Sequence, residues 1–158
     1  MAPTLYLLCG LPASGKTTRA RELEAATNAV RLTGDEWIAR LYPNDAEAAA
    51  RDERRDTVEQ LQWQIVERLL EIGTDVVLDW GLWTRAERAR YRRRAEALGA
   101  RVKIELVEAP LSVLQERLAE RNRDLPPGTF HISATEMEEF ASLFERPTEV
   151  EMAVGRDD

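Results

Sequence analysis

The sequence predicts a three-layer α/β/α fold in which helices cover both faces of a central parallel sheet. Two features predict it. Short apolar segments typical of buried parallel strands alternate with segments of helical periodicity. A glycine-rich loop also joins the first strand, at residues 4–9, to the first helix, at 17–26. With 158 residues, the chain suits a single domain over 1–158 that is large enough to bury a core.

The strands follow from apolar or alternating runs bounded by turn residues. They are predicted at 4–9, 30–32, 75–79 and 101–107, with a possible short last strand near 150–154. The continuous apolar character of the first and third runs is typical of strands buried on both faces. The central sheet is therefore expected to have about five strands.

The helices follow from periodicity and end signals. After the first helix, a brief helix is predicted at 36–41, and the polar stretch that ends at Arg55 predicts a solvent-facing helix without chemistry. Capping boxes at 84–87 and 133–136 open helices that reach 98 and about 144, and Pro110 starts another. A long amphipathic helix at 56–72 is expected to cover a sheet face. Its predicted apolar stripe consists of Val58, Leu61, Ile65, Leu69 and Ile72.

The loop after the first strand fits the pattern G-x-x-x-x-G-K-[ST] at every fixed position. This pattern and its strand and helix flanks predict a phosphate loop that binds ATP. Lys16 would neutralise charge between the β- and γ-phosphates, and the Thr17 hydroxyl would be a ligand of Mg²⁺. The predicted nucleotide-binding residues are Gly10, Leu11, Pro12, Ala13, Ser14, Gly15, Lys16, Thr17 and Thr18.

Two carboxylates come directly after predicted strands. Asp35 follows the second strand and Asp79 ends the third, at the sheet edge where ligands of open α/β folds bind. Asp35 is a candidate for the site as well as for a helix N-cap, and Asp79 would hold either a Mg²⁺-bound water or the acceptor. Trp37, Trp80 and Trp83 would surround an acceptor pocket nearby, or would only fill the core.

Composition limits the functions that the chain can have. A hydrophobic share of 44% without an apolar run of roughly 18 residues predicts a protein with no membrane partner. The start of the chain lacks a signal-peptide pattern, so we expect the cytoplasm. One cysteine, Cys9, and one histidine, His131, provide neither a disulfide nor a zinc site. The net charge of −7 disfavours a broad nucleic-acid-binding surface. A monomer and a homodimer are both compatible with the sequence.

Arginines are concentrated in two predicted helices, and a predicted lid follows the second of them. Six of them in the helix 84–98 spread over more than one face, which is typical of a solvated surface, although a basic track for nucleic acid is the alternative. Arg117 and Arg121 are four residues apart and therefore share a helix face. The Pro-Pro-Gly sequence that follows predicts a mobile lid at about 121–132.

Two absences bear on the reaction. The chain lacks the Asn/Thr-Lys-x-Asp segment expected of a guanine-binding GTPase. Asp79 is followed by Trp80 instead of the acidic residue that usually polarises water in motor ATPases. Guanine specificity and hydrolysis as the main activity are both disfavoured.

Over nearly its whole length the chain resembles the P-loop kinase group that contains polynucleotide 5′-kinases, chloramphenicol phosphotransferase, zeta toxins and gluconate kinases. It also resembles bacterial ATP-binding proteins labelled "AAA family ATPase". The resemblance is carried by residues 10–17, 34–35, 79, the R-x-x-x-R-N pattern within 114–122, and 144–148. It implies a P-loop NTPase fold with strand order 2-3-1-4-5.

The resemblance also implies roles for individual residues. Asp35 would accept the proton of the attacking hydroxyl, and Arg117 and Arg121 would contact the nucleotide and the transferred phosphoryl group. The polynucleotide kinases have a further arginine where this chain has Leu125, with Arg123 as the nearest substitute. This departure weakens the nucleic-acid interpretation.

The favoured hypothesis is an ATP- and Mg²⁺-dependent kinase that phosphorylates a hydroxyl of a small molecule. Its catalytic residues would be Lys16, Asp35, Arg117 and Arg121. The alternatives are a kinase acting on the 5′-hydroxyl of a polynucleotide or nucleotide, and a nucleotide-binding switch or ATPase without an acceptor.

Overall fold

The computed structural model describes residues 1–43 and 48–153. A parallel sheet of four strands in the order β2-β3-β1-β4 lies at its centre. The strands are β1 (Thr4–Cys9), β2 (Val30–Thr33), β3 (Val76–Gly81) and β4 (Arg101–Leu106). The helices are α1 (Lys16–Thr27), α2 (Gly34–Leu41), α3 (Ala48–Glu71), α4 (Arg85–Ala97), α5 (Leu111–Arg123), α6 (Ala134–Leu143) and α7 (Glu149–Ala153).

Side chains of β1 alternate between two hydrophobic layers, because successive residues of a strand point to opposite faces of the sheet. Leu5 and Leu7 pack in the layer formed with α3 and α4, and Tyr6 and Leu8 pack in the layer formed with α1. All six residues of β1 are buried. The three-layer fold class is therefore confirmed, and so is the order of the first four strands.

The expected fifth strand at 150–154 is wrong for the part that the structure describes, which ends at residue 153. Residues 149–153 form the short helix α7. The hydroxyl of Thr148 accepts a hydrogen bond from the Glu151 amide (3.2 Å), and the Glu151 carboxylate accepts one from the Thr148 amide (3.0 Å). This reciprocal pair is a capping box, which starts a helix where the apolar residues alone suggest a strand.

The predicted apolar stripe of α3 is only partly correct, since Val58 is buried and Leu69 packs against the core, whereas its other three residues are exposed. Leu61 and Ile72 are 50% and 56% exposed, and Ile65 is exposed as well. Besides Val58, the buried face consists of Gln62, Trp63, Val66 and Leu70. The helix is rotated toward Trp63, whose indole packs on Tyr91 with ring centroids 4.7 Å apart. Burial of this large aromatic surface decides which face meets the sheet.

The arginines of α4 are not all solvated. Arg88 is 1% exposed and donates to the Glu151 carboxylate, with the Nε to Oε1 distance at 3.1 Å. Arg94 pairs with Glu67 of α3 at 3.0 Å. The expectation of a purely solvated surface is thus wrong for Arg88, which joins α4 to α7. Within the described part of the chain, none of the helices has the length and apolarity to cross a membrane.

Candidate active site

The phosphate loop lies between the ends of three strands. Its first residue, Gly10, donates its amide to the Gly81 carbonyl at the end of β3 (3.0 Å). A β-carbon on Gly10 would overlap the Val107 carbonyl oxygen and would lie 2.9 Å from the Ser14 hydroxyl oxygen. Only glycine fits this position, so the sequence places the loop tightly against the β4 side of the sheet.

Lys16 begins α1 and points back over the loop, where its Nζ donates to the Leu11 carbonyl (3.0 Å). Burial lowers the pKa of the Lys16 amine, and the carboxylates of Asp79 and Asp35 act in the opposite direction. A bound phosphate would supply the negative charge that stabilises the ammonium form.

Thr17 and Asp79 meet beside the loop. The Thr17 hydroxyl donates to Asp79 Oδ2 (2.7 Å), and the Thr33 hydroxyl at the end of β2 donates to the same oxygen (3.1 Å). Asp79 is 6% exposed. A hydroxyl and a carboxylate oxygen are ligands that Mg²⁺ accepts, with the remaining positions filled by phosphate oxygens and water. This donor set fits a nucleotide-bound Mg²⁺.

Asp35 is exposed in the first turn of α2, directly after the end of β2. The N-cap position of this helix is Thr33, and no side chain caps it there, so the predicted role of Asp35 as an N-cap is wrong. Its Oδ1 instead accepts a hydrogen bond from Arg55 Nη2 of α3 (3.2 Å). Asp79 lies inside β3, which continues to Gly81 instead of ending at residue 79 as predicted, and it pairs in register with Thr33 at the end of β2. Asp35 thus follows the strand adjacent to the one that contains Asp79.

The N-terminal half of α3 reaches the candidate site, where Arg55 contacts Asp35. The expectation that the stretch ending at Arg55 faces solvent is wrong for Arg51, which is buried. Arg51, Arg55 and Glu59 are spaced at i, i+4 and i+8, which places them on one helix face. Burial raises the pKa of Glu59 to about 8, and the Glu87 carboxylate adds to the shift. The periodicity of these three residues is the sequence signal that could have revealed them.

The three candidate tryptophans have different surroundings. Trp80 packs edge-on against Tyr91 (5.1 Å between centroids), and its Nε1 donates to Gln62 (2.7 Å). Trp37 packs against the main core. Trp83 Nε1 donates to the Gly10 carbonyl (3.1 Å). Trp80 and Trp37 are thus largely core residues, whereas Trp83 supports the phosphate loop directly.

Two arginines of α5, Arg117 and Arg121, lie near the phosphate loop. Arg117 Nη1 donates to the Ala13 carbonyl (3.4 Å). Arg121 has a buried Nε without a hydrogen-bond partner among the described residues. Burial lowers the pKa of the Arg121 guanidinium, while the Asp35 carboxylate raises it. Arg123 is exposed at the end of the helix. Arg121 is therefore a cation with unused donors between the loop and Asp35.

The segment predicted as a lid at 121–132 begins inside α5 and continues as an irregular loop to α6. Asn122 fastens its base, since its amide donates to the Ile132 carbonyl (2.7 Å) and its side-chain oxygen accepts from the Ile132 amide (3.3 Å). At its tip, a β-carbon on Gly128 would lie 2.9 Å from Glu36 Cγ of α2. The Arg51 guanidinium lies 5.1 Å from the centroid of the Phe130 ring. The loop therefore rests on α2 and α3, on the Asp35 side of the site.

A cavity of about 220 Å³ adjoins the phosphate loop between the end of β4, α5 and α6. The buried Ser14 hydroxyl at this cavity has no partner among the described residues. Most of the lining is apolar, with an Arg146–Glu108 ion pair at one side (2.8 Å). The apolar lining includes Leu11, Val107, Ala109, Leu111, Leu114 and Phe144.

The strand order and the loop with its Thr17–Asp79 contact define a P-loop protein with a kinase-like fold. The family model described as AAA_33, an AAA domain, matches residues 5–147, and the chain belongs to this family. No curated protein matches the chain.

Several solved structures share the fold. A putative kinase from Chloroflexus aurantiacus is 19% identical with a TM-score of 0.73, over 94% of this chain and 83% of that one. Kti12 from Chaetomium thermophilum in complex with ADP-AlF3 is 20% identical with a TM-score of 0.69, over 92% and 82%. A gluconokinase from Sinorhizobium meliloti is 19% identical with a TM-score of 0.60, over 94% and 78%. The resemblance to the P-loop kinase group is thus confirmed.

Proposed function

We propose that this protein is an ATP-dependent kinase that transfers the γ-phosphate to a hydroxyl group of a small molecule in the cytoplasm. The observation that carries the proposal is the placement of Asp35. Its exposed carboxylate follows the strand next to that of Asp79, caps no helix, and contacts only Arg55 among the described residues. A nucleotide switch has no need of such a group, whereas a kinase uses it to orient an acceptor hydroxyl.

The nucleotide would occupy the loop and the cavity beside it. Lys16 would leave the Leu11 carbonyl and bind the β- and γ-phosphates. Thr17 and Asp79 would hold Mg²⁺, directly or through a water, and the bound ion would neutralise phosphate charge. The base would pack in the apolar cavity of about 220 Å³, where Ser14 offers an unused hydroxyl.

Arg117 and Arg121 would act on the transferring group. Charge moves onto the equatorial and leaving oxygens during phosphoryl transfer, and preorganised cations that meet this charge lower the barrier. Arg121 suits this task because its Nε is desolvated and lacks a partner among the described residues. Arg117 lies at the loop itself and suits contact with the nucleotide.

On the acceptor side, Arg55 holds the Asp35 carboxylate in place at 3.2 Å. Asp35 would accept a hydrogen bond from the acceptor hydroxyl and take its proton late in the transfer, since the transition state is loose. The loop that rests on α2 and α3 would limit the acceptor's size and exclude water. A small-molecule acceptor also agrees with the net charge of −7.

The test combines an acceptor screen with the variant Asp35→Asn. ATP consumption would be measured with hydroxylated metabolites, antibiotics and 5′-hydroxyl oligonucleotides. Asp35→Asn should bind ATP·Mg²⁺ like the parent but lose transfer by roughly 10²-fold or more, as expected for a lost general base. Glu36→Gln removes the same charge at the next position and should retain most transfer.

Two results would contradict the proposal. If Asp35→Asn transfers phosphate at the parental rate, the carboxylate has no catalytic role. If ATP turnover is identical with and without every acceptor tested, the protein is a nucleotide switch or ATPase. Preference for the oligonucleotide would support the polynucleotide kinase alternative.

A further inference from the structure

A second cavity, of about 240 Å³, lies between α4, β4 and α7. Its lining contains no residue of the phosphate loop at 10–18 and none of the acceptor side. Arg85, Arg88, Arg92 and Arg93 all line it, and Glu151 is the single acidic residue. Four guanidinium groups against one carboxylate leave three unmatched positive charges in a chain whose net charge is −7.

One of these arginines is fully used by the protein. Arg88 donates to the carboxylate of Glu151 and to the carbonyls of Leu82 (3.0 Å) and Trp83 (3.1 Å). Its charge is therefore paired with Glu151, and its guanidinium has little hydrogen-bonding capacity left for a ligand.

The other three arginines keep unused donors. Arg92 Nη2 donates to the Glu151 carbonyl (2.6 Å), but its Nε is buried and has no partner among the described residues. Arg85 and Arg93 are exposed, and neither guanidinium contacts an acceptor within the part of the chain that the structure describes. A buried guanidinium donor without a partner is costly unless a ligand supplies an acceptor.

We propose that this cavity binds a small phosphate-bearing molecule. The planar donors of arginine match oxyanions, and a phosphate group has three terminal oxygens that three guanidinium groups can share. The volume is below the roughly 300–1,000 Å³ that is common for drug-sized ligands, so the bound molecule is small. The apolar side chain of Ile104 in the lining leaves room for an organic part next to the phosphate.

The probes are inorganic phosphate and ribose 5-phosphate, titrated by NMR into the 18.0 kDa protein while arginine Nε–H resonances are observed. Because phosphate also suits the phosphate loop, the titrations would be repeated with Lys16→Ala, which weakens that site. Saturable binding that persists in Lys16→Ala and shifts the Arg92 Nε–H resonance is expected. Tighter binding of ribose 5-phosphate would identify a phosphate ester as the ligand class, and equal binding would identify the phosphate group alone.

The variants Arg85→Ala and Arg93→Ala are expected to weaken binding by about tenfold or more, because each removes a charge-assisted hydrogen bond from an exposed residue. Arg90→Ala removes the same charge from the same helix without lining the cavity and should change the affinity less than about twofold. Equal losses in all three variants, or binding that disappears in Lys16→Ala, would overturn the proposal. So would a 5′-hydroxyl oligonucleotide that binds more tightly than both probes at this cavity.

Discussion

The ion pair between Arg88 and Glu151 joins α4 to α7, and removal of either partner is expected to destabilise the fold, because it leaves a buried charge unpaired. Their side chains are 1% and 11% exposed, and two contacts join them, from Nε (3.1 Å) and Nη2 (3.4 Å). The substitution Glu151→Gln keeps the size and an oxygen acceptor but removes the charge. It leaves the Arg88 guanidinium buried without its counter-ion.

Breaking a buried pair by removing one partner costs about 3–5 kcal/mol. Glutamine retains one acceptor and still serves in a capping box, so we expect the low end, about 3 kcal/mol. For a domain of this size that loss corresponds to a decrease in Tm of about 6–12 °C. Urea unfolding at pH 7 measures it. The control is Arg68→Gln, which breaks the exposed pair with Glu71 and should cost less than about 1 kcal/mol.

The pH dependence of the free energy of unfolding provides a second test of the role of the Arg88–Glu151 pair. Burial alone would raise the pKa of Glu151, but hydrogen bonds from Arg88 and the Thr148 amide hold it below its ordinary value of 4.5. A carboxylate with a lowered pKa in the folded state contributes stability above its unfolded pKa, and this contribution is lost as the pH falls. The difference between the parent and Glu151→Gln should shrink below pH 4.5. A difference below about 1 kcal/mol at pH 7, or one that is equally large at low pH, would refute the reasoning.

Three further predictions concern the site. Lys16→Ala should lose ATP turnover while its circular dichroism spectrum and Tm stay close to those of the parent, since Lys16 supplies charge to the phosphates; a folded variant with normal turnover would contradict the loop assignment. Arg121→Ala should reduce kcat by about 10²-fold with little change in ATP affinity, whereas the control Arg123→Ala, which removes an exposed guanidinium from the same helix, should leave kcat nearly unchanged. Weaker ATP binding at unchanged kcat would show that Arg121 only binds the nucleotide and does not stabilise the transition state. Because burial raises the pKa of Glu59 to about 8, this side chain keeps its proton in the folded state between pH 4.5 and 8, and the parent should lose stability as the pH rises through this window. Glu59→Gln should not show this loss, as urea unfolding of both proteins at pH 5 and pH 8 would show. An equal change in the two proteins would contradict the raised pKa.

The nucleotide half of the site could be predicted from the sequence because its chemistry is local. A single run of residues contains the loop, the lysine and the hydroxyl, and its strand and helix flanks follow from periodicity. Asp35 and Asp79 could be placed as well, because carboxyl ends of parallel strands share one edge. These positions depend only on rules that hold for every sheet of this kind.

The contribution of α3 to the candidate site could not be predicted, because it depends on how this helix is rotated about its axis. Apolar residues on this helix occupy two neighbouring stripes, and spacing alone does not choose between them. The choice is made by Trp63 and Gln62, whose partners Tyr91 and Trp80 lie far away in the sequence. In the same rotation of α3 that buries Trp63, Arg55 lies beside Asp35. A tertiary contact thus determined which charged residues reach the site.

The position of each strand in the sheet has a consequence for how such proteins diverge. The phosphate loop follows β1, which pairs with a neighbour on both sides, whereas Asp35 follows β2, an edge strand that pairs only with β3. Substitutions around β2 and α2 therefore leave the strand pairings of β1 with β3 and β4 intact. Under the proposed function, the acceptor side at this edge could therefore change while the phosphate loop after β1 is kept. Under the same proposal, proteins that share this fold would bind the same nucleotide and differ in the molecule that they phosphorylate.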